Sequence, residues 1–137
     1  MGLPTPKTYR FNAGFGQDDV LAMRRDLAKA LHEEGVSGDA AYALINVLDE
    51  FCCNMMEHAQ ASWAEVKVMP DSEALRASIQ DDGVEFDPVK AVREVDPESP
   101  TSVSDRKLGL YLIGLLAKDL VYERVGNLNH LEFSMKR

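Results

Sequence analysis

The sequence predicts an α+β domain in two layers, with helices packed on one face of a mixed, mostly antiparallel sheet. Three observations predict it. Two consecutive stretches before residue 60 carry apolar residues at helical spacing. One pair of later runs alternates apolar with polar residues, the pattern of half-buried strands, and a second pair flanks a Gly-Asn turn as a hairpin does. The order of elements is a strand, two helices, two strands, a polar loop, a helix and two final strands, which favours helices gathered on one face of such a sheet.

Thr8-Tyr9-Arg10-Phe11 alternates briefly and reads as an edge strand. Asp18 or Asp19 offers an N-cap to the first helix, whose apolar stripe is Val20, Met23, Leu27, Ala30 and Leu31, and Gly35 ends it. A second helix starts near Gly38-Asp39 and runs to about Ala59, with Ala41, Leu44, Ile45, Leu48, Cys52, Met55 and Ala59 three and four apart. Trp63 to Met69 alternates as a strand, Pro70-Asp71-Ser72-Glu73 turns, and Leu75, Ala77 and Ile79 carry a second strand into Asp81-Asp82-Gly83. From Lys90 to Lys107 the chain is polar and lacks apolar periodicity, and long loops in compact domains tend to be functional. Leu108 to Leu116 reads as a buried helix, and Leu120–Val125 and His130–Met135 form a hairpin around Gly126-Asn127.

Composition narrows the function classes. The 137 residues suit one domain, and 45% hydrophobic with 28% charged residues describes a soluble globular chain. No apolar run approaches the roughly 18 residues that span a bilayer, and the N-terminus lacks the apolar core of a secretory signal, so the expected setting is cytoplasmic, without a membrane partner. A net charge of −8 argues against binding to nucleic acid, whose phosphates need basic surface. Cys52 and Cys53 are adjacent on a helix and point about 100° apart, so they read as small core-filling side chains rather than a disulfide or a zinc site.

On the second helix Glu50, Asn54 and His58 are spaced i, i+4, i+8 and form a polar ladder away from the main apolar stripe. Taken alone, such a ladder is a solvated helix face. What gives it weight is the order that follows: a strand ending in Asp-x-Gly, a polar loop, and a Leu-Gly-Leu helix start. Three boxes thereby resemble the GHKL superfamily (gyrase, heat-shock chaperone, histidine kinase, MutL), and within it the anti-sigma-factor serine/threonine kinases. Asp49-Glu50-Phe51-Cys52-Cys53-Asn54-Met55-Met56-Glu57-His58 is similar to the Glu-x-x-x-Asn-x-x-x-His box. Ile79-Gln80-Asp81-Asp82-Gly83-Val84-Glu85-Phe86-Asp87-Pro88 is close to Asp-x-Gly-x-Gly-Phe-Asp-Pro, and Lys107-Leu108-Gly109-Leu110 stands where the family has Gly-Leu-Gly-Leu.

The resemblance implies a Bergerat ATP-binding fold over residues 1–137, with ATP and Mg2+ as cofactors and a lid at about 90–107. It implies that Asn54 helps to hold Mg2+, for which an amide oxygen is a suitable hard ligand. It implies that Glu50 orients or deprotonates the attacking hydroxyl, that Asp81 accepts from the adenine amine, and that Gly83 admits the base closely. Gly109 would let the following helix begin against the phosphates. His58 reads as structural. The family's activity would pass phosphate to a serine or threonine of an anti-anti-sigma antagonist, with a sigma factor as the alternative partner and dimerisation through the apolar first helix. Two positions depart from the pattern. Glu85 replaces a glycine and brings negative charge toward the site, and Lys107 replaces another, where its ammonium could serve a phosphate as a point charge. These departures favour an alternative, an interaction module that keeps the fold and binds a regulator without catalysis. A histidine-kinase catalytic domain ranks below both, because no helical hairpin with a phospho-acceptor histidine precedes the boxes.

Overall fold

β1 (Lys7–Phe11), β2 (Ala64–Pro70), β3 (Ala74–Asp81), β4 (Lys118–Val125) and β5 (Leu128–Lys136) form one five-stranded sheet in the order β1-β2-β3-β5-β4. The structure is a computed structural model that describes residues 7–11, 16–93 and 113–137. The expected α+β architecture is present, with helices on one face of the sheet, and among the described residues every strand pair is antiparallel. The reason is topological. β4 runs in the direction of β3 but lies beyond β5, so the return strand of the last hairpin takes the place beside β3 and no parallel pair forms.

α1 (Gln17–Glu33) is capped by Gly16 rather than by an aspartate. Asp19 lies in the first turn, where its carboxylate reaches back to accept from the Gly16 N–H at 3.1 Å and, with Asp18, suits the positive end of the helix dipole. Gly35, at φ +77°, closes the helix, with its N–H donated to the His32 carbonyl and that of Val36 to Leu31. α2 (Gly38–Asn54) starts at Ser37, whose hydroxyl accepts from Ala40 N at 3.2 Å, and continues as a π-helical turn over Met55–Ala59.

Period-two burial in β2, β3 and β5 puts one face of the sheet against the helices. Leu27, Leu31, Leu44, Leu48 and Phe51 pack there on Val66, Val68, Leu75, Ile79 and Phe133, and the Phe51 and Phe133 rings meet at 5.5 Å. Each of these side chains contributes roughly 1.5–3 kcal/mol by leaving water. Lys67, Met69, Arg76 and Glu132 on the opposite face are exposed. Cys52 is fully buried and its thiol pKa is pushed up, first by burial and then by Asp49 and Cys53, as befits an inert core filler.

Two further expectations change. The start of the polar stretch is not loop: α3 (Pro88–Arg93) forms because Asp87 caps it, accepting from Val89 N at 2.9 Å, with proline in the first helical position. The helix expected over 108–116 is described only at 113–116, where Ile113 is buried but Leu115 and Leu116 are exposed. Residues 94–107 of the expected lid, with Lys107, and 108–112, with Gly109, lie outside the described residues.

Candidate functional site

The alternation of β3 carries Leu75, Ala77, Ile79 and then Asp81 to the helix-facing side, so the acid at the strand end is buried at 3% exposure. Its Oδ1 accepts from Gly83 N at 2.8 Å and from Asn129 Nδ2 at 2.9 Å, and Oδ2 has no partner among the described residues. Burial pushes the Asp81 pKa up, against the pull of these two donors and of the Arg124 charge. Asp82 does a different job. It turns outward and accepts from Ser62 N at 2.8 Å, from Trp63 N at 3.1 Å and from the Ser62 hydroxyl, which ties the loop before β2 to the end of β3. The Ser62 hydroxyl is the main reason its pKa is lowered.

Gly83 meets a constraint from the protein itself. A Cβ there would run into the carbonyl oxygen of Ala59 and lie 2.8 Å from the Ala59 Cβ, while the next residue donates its N–H to that same carbonyl at 2.8 Å. The glycine lets the loop after β3 seat directly on the end of the π-helical turn.

Asn129, on the inward register of β5, was not among the residues singled out from the sequence. It is buried and joins Asp81 to the loop at Val84 and Phe86 and to Tyr122 and Arg124 of β4. An asparagine followed by Leu131, Phe133 and Met135 on one strand face is a polar residue in an apolar register, and that signal was available. Asp81, Tyr122 and Asn129 are the polar members of a cavity otherwise walled by Phe51, Met55, Ile79, Phe86, Pro88 and Leu131. Its volume is about 20 Å3, room for about one water molecule.

Asn54 is the last residue of α2, 5% exposed, and its buried Nδ2 has no hydrogen-bond partner among the described residues. Among the described residues it is the one buried side-chain polar atom so placed, a condition worth about 1–3 kcal/mol of lost stability. The wider π turn that follows takes His58 off the line of the ladder. Its ring stacks on Phe86 at 5.0 Å and 24°, over a wall of the Asp81 cavity. Glu50 lines a different and larger cavity of about 380 Å3, with Tyr42, Asn46 and Asp49 of α2 and with Ile113 and Leu116. The neighbouring Asp49 is engaged by Arg24, whose guanidinium lies 2.7 Å away. The structure thus brings Asp81 and Gly83 together against the helix that carries Asn54, and sets Glu50 in a separate cavity.

For a magnesium nucleotide the donor set fits. A buried acceptor stands at the strand end, and on the facing helix a buried carboxamide offers an oxygen, a hard ligand for Mg2+, and an unpartnered N–H donor suited to a phosphate oxygen. The room at the strand end is too small for a base as it stands, and the Phe86 wall is backed by the His58 ring. Glu85 is exposed and does not line the cavity, and its charge acts on Tyr122 of the cavity wall, whose hydroxyl pKa is raised first by burial and next by Glu85.

A family model described as the histidine kinase-like ATPase domain matches residues 16–135. No curated protein sequence matches the chain. Among solved structures, a chain in the crystal structure of the SiaB-SiaC complex from Pseudomonas aeruginosa is similar in fold, with a TM-score of 0.64 and 17% identity, over 93% of this chain and 88% of that one. Among the described residues no helix is long and apolar enough to cross a membrane. The match over residues 16–135, on a fold that carries the Asp81 and Asn54 boxes on facing elements, means that the chain belongs to the histidine kinase-like ATPase domain family, within the GHKL superfamily whose kinase-like members its three boxes resemble.

Proposed function

We propose that the chain is a cytoplasmic ATP-binding regulatory domain that passes phosphate to a serine or threonine of a protein antagonist. The observation that carries the reading is the Asn54 carboxamide, buried on the helix that, with the turn after it, supplies Phe51 and Met55 to the Asp81 cavity: its N–H donor has no partner among the described residues, and a phosphate oxygen would satisfy it. A protein does not gain stability from such a group, so a ligand is the natural partner for it. In this reading Asn54 holds Mg2+ through its amide oxygen and Asp81 accepts from the base amine with Oδ2. Glu50 orients the incoming hydroxyl from the larger cavity, where a protein segment has room to enter. The bound nucleotide supplies the phosphoryl group. Lys107 and Gly109 belong to the phosphate side of the same reading. A protein partner is supported by the similar structure's being that of a two-protein complex.

A second reading rests on the closed base end. A cavity of about 20 Å3, with the Asn129 amide already on Asp81, suits a domain that keeps the fold and binds a regulator without nucleotide. Calorimetry with Mg-ATP separates the two. Micromolar binding that Asp81→Asn abolishes supports the first reading, and silence at millimolar nucleotide supports the second. With binding in hand, Glu50→Ala should keep affinity and lose phosphate transfer to an added protein substrate. Undiminished transfer by that variant would remove Glu50 from its role.

A further inference from the structure

We propose that Asn129 is the positioning residue of the base end: its carboxamide locks Asp81 so that one carboxylate oxygen is held by the protein and the other faces the cavity for an amine-bearing purine. The inference rests on the nucleotide-binding reading and deepens it, by naming what makes the site choose an amine.

The orientation of the Asn129 amide is fixed by its surroundings. Its Nδ2 donates to Asp81 Oδ1 at 2.9 Å and to the Val84 carbonyl at 2.8 Å, both of them acceptors. Its Oδ1 accepts from the Tyr122 hydroxyl at 2.6 Å, from Arg124 at 3.1 Å and from Phe86 N at 3.3 Å, all of them donors. Turning the amide over would set an oxygen against a carboxylate and a carbonyl, and an NH2 against N–H groups, so one orientation is imposed. Arg124 braces the same loop from the other side by donating to the Gly83 carbonyl at 2.8 Å.

The consequence falls on Asp81. With Gly83 N and Asn129 both on Oδ1, the carboxylate cannot rotate without breaking two buried hydrogen bonds, and Oδ2 is left as its acceptor for a ligand. The charged groups that act on it are Asp82 from its own loop and Arg124 from β4, while α2 and the π-helical turn after it face the cavity with Phe51 and Met55. Asn129 is therefore a neutral donor between a buried acid and an arginine. It holds the acid in place without taking its charge, which a lysine or arginine there would do. A carboxylate oxygen fixed in an apolar cavity selects for a donor and rejects a carbonyl. The 6-amino group of adenine is such a donor, and hypoxanthine carries a carbonyl at that position.

The test compares ATP with ITP, as magnesium complexes, by calorimetry. The wild-type chain should bind ATP about 10–100-fold more tightly than ITP, the range a single buried hydrogen bond supports. Asn129→Leu, near-isosteric and without donors, should bring that ratio toward one, because Asp81 is then free to turn. Equal weakening of both nucleotides with the ratio preserved would mean that Asn129 only supports the fold, and would overturn the inference while leaving the nucleotide reading intact. Should Asn129→Leu not fold, Tyr122→Phe decides. It removes one donor from the Asn129 oxygen and should reduce the ratio about threefold, and an unchanged ratio in that variant overturns the inference. Absence of binding of either nucleotide to the wild-type chain would overturn both this inference and the reading beneath it.

Discussion

At the end of β3, Asp81, Gly83, Val84 and Phe86 are tied through Asn129 to Tyr122 and Arg124, and the cavity among them holds about 20 Å3. On α2, Asn54 keeps a buried amide nitrogen without a partner, and one turn earlier Glu50 looks into about 380 Å3. The two regions lie in one fold, yet the strand end is tied by its neighbours and closed, with Asp81 Oδ2 left over, while α2 carries the unpartnered Asn54 amide and borders a roomy cavity. In a protein that reads a base at one end and performs chemistry at the other, this is the expected division. Recognition gains from polar groups fixed in advance by their neighbours, and transfer needs space for a second reactant.

The comparison is broken most forcefully at Gly83. A methyl group there meets the carbonyl oxygen and Cβ of Ala59, both held by the end of the π-helical turn, so the loop must lift away from the helix. Gly83→Ala is expected to lower the free energy of unfolding by about 3 kcal/mol, the upper part of the range for overpacking. It should also detach the Val84 N–H from Ala59. Gly38→Ala is the control, since a Cβ there meets nothing within 4 Å. Urea denaturation of the two variants measures the difference, and a Gly83→Ala chain as stable as the Gly38→Ala chain would mean that the strand end is not rigid.

How much of this could be read from the sequence depends on whether a residue's role is local. The Gly35 helix stop, the start of the second helix near Gly38, strand alternation and the final hairpin are legible because stop signals, periods of 3.6 and 2 and the turn residues Gly126-Asn127 act over a few positions. Asp87-Pro88 is a cap and first-position pair for α3, but the stretch after it is polar and lacks apolar periodicity, so it reads as loop. The π turn over Met55–Ala59 carries no composition of its own: Cys52, Met55 and Ala59 satisfy helical spacing either way. Asp81 and Gly83 stood out by motif, but the contact that forbids a side chain at 83 comes from Ala59, far back in the chain, and no propensity reports it. Asn129 was overlooked because its partners sit on β3, β4 and the intervening loop, and only the strand order β3-β5-β4 brings them together.

A smaller effect of opposite sign is expected at the helix end. Asn54→Leu replaces a buried amide that lacks a partner by an apolar group of similar shape, and should raise the free energy of unfolding by about 1–2 kcal/mol. The same variant should lose the magnesium-dependent part of nucleotide affinity, read by titrating ATP with and without Mg2+. Stability and binding moving in opposite directions would mark Asn54 as a group kept for a ligand. A loss of stability would show that the amide has a partner in the folded protein and that the two ends are finished alike.

The smallest effect, and the one that joins the two ends, concerns the charge on Asp81. Burial raises its pKa in the folded chain above the unfolded value. The protonated form therefore contributes stability that is fully present below the unfolded pKa and is lost as pH rises through the folded one, so at neutral pH the ionised acid is a net cost. Asp81→Asn removes the charge and keeps an oxygen that can accept from Gly83 N and Asn129. It should melt about 2 °C above the wild type at pH 7, a shift of the size expected for a few tenths of a kcal/mol in a chain of this length. The gain should shrink as pH falls through the folded-state pKa and vanish below the unfolded one, measured as melting temperature against pH for both proteins. A gap that stays constant with pH would mean that Asp81 titrates alike in the folded and unfolded chains. The hydrogen bonds from Asn129 and Gly83 would then fully offset its burial, and the closed end of the cleft would hold a carboxylate at no cost to the fold.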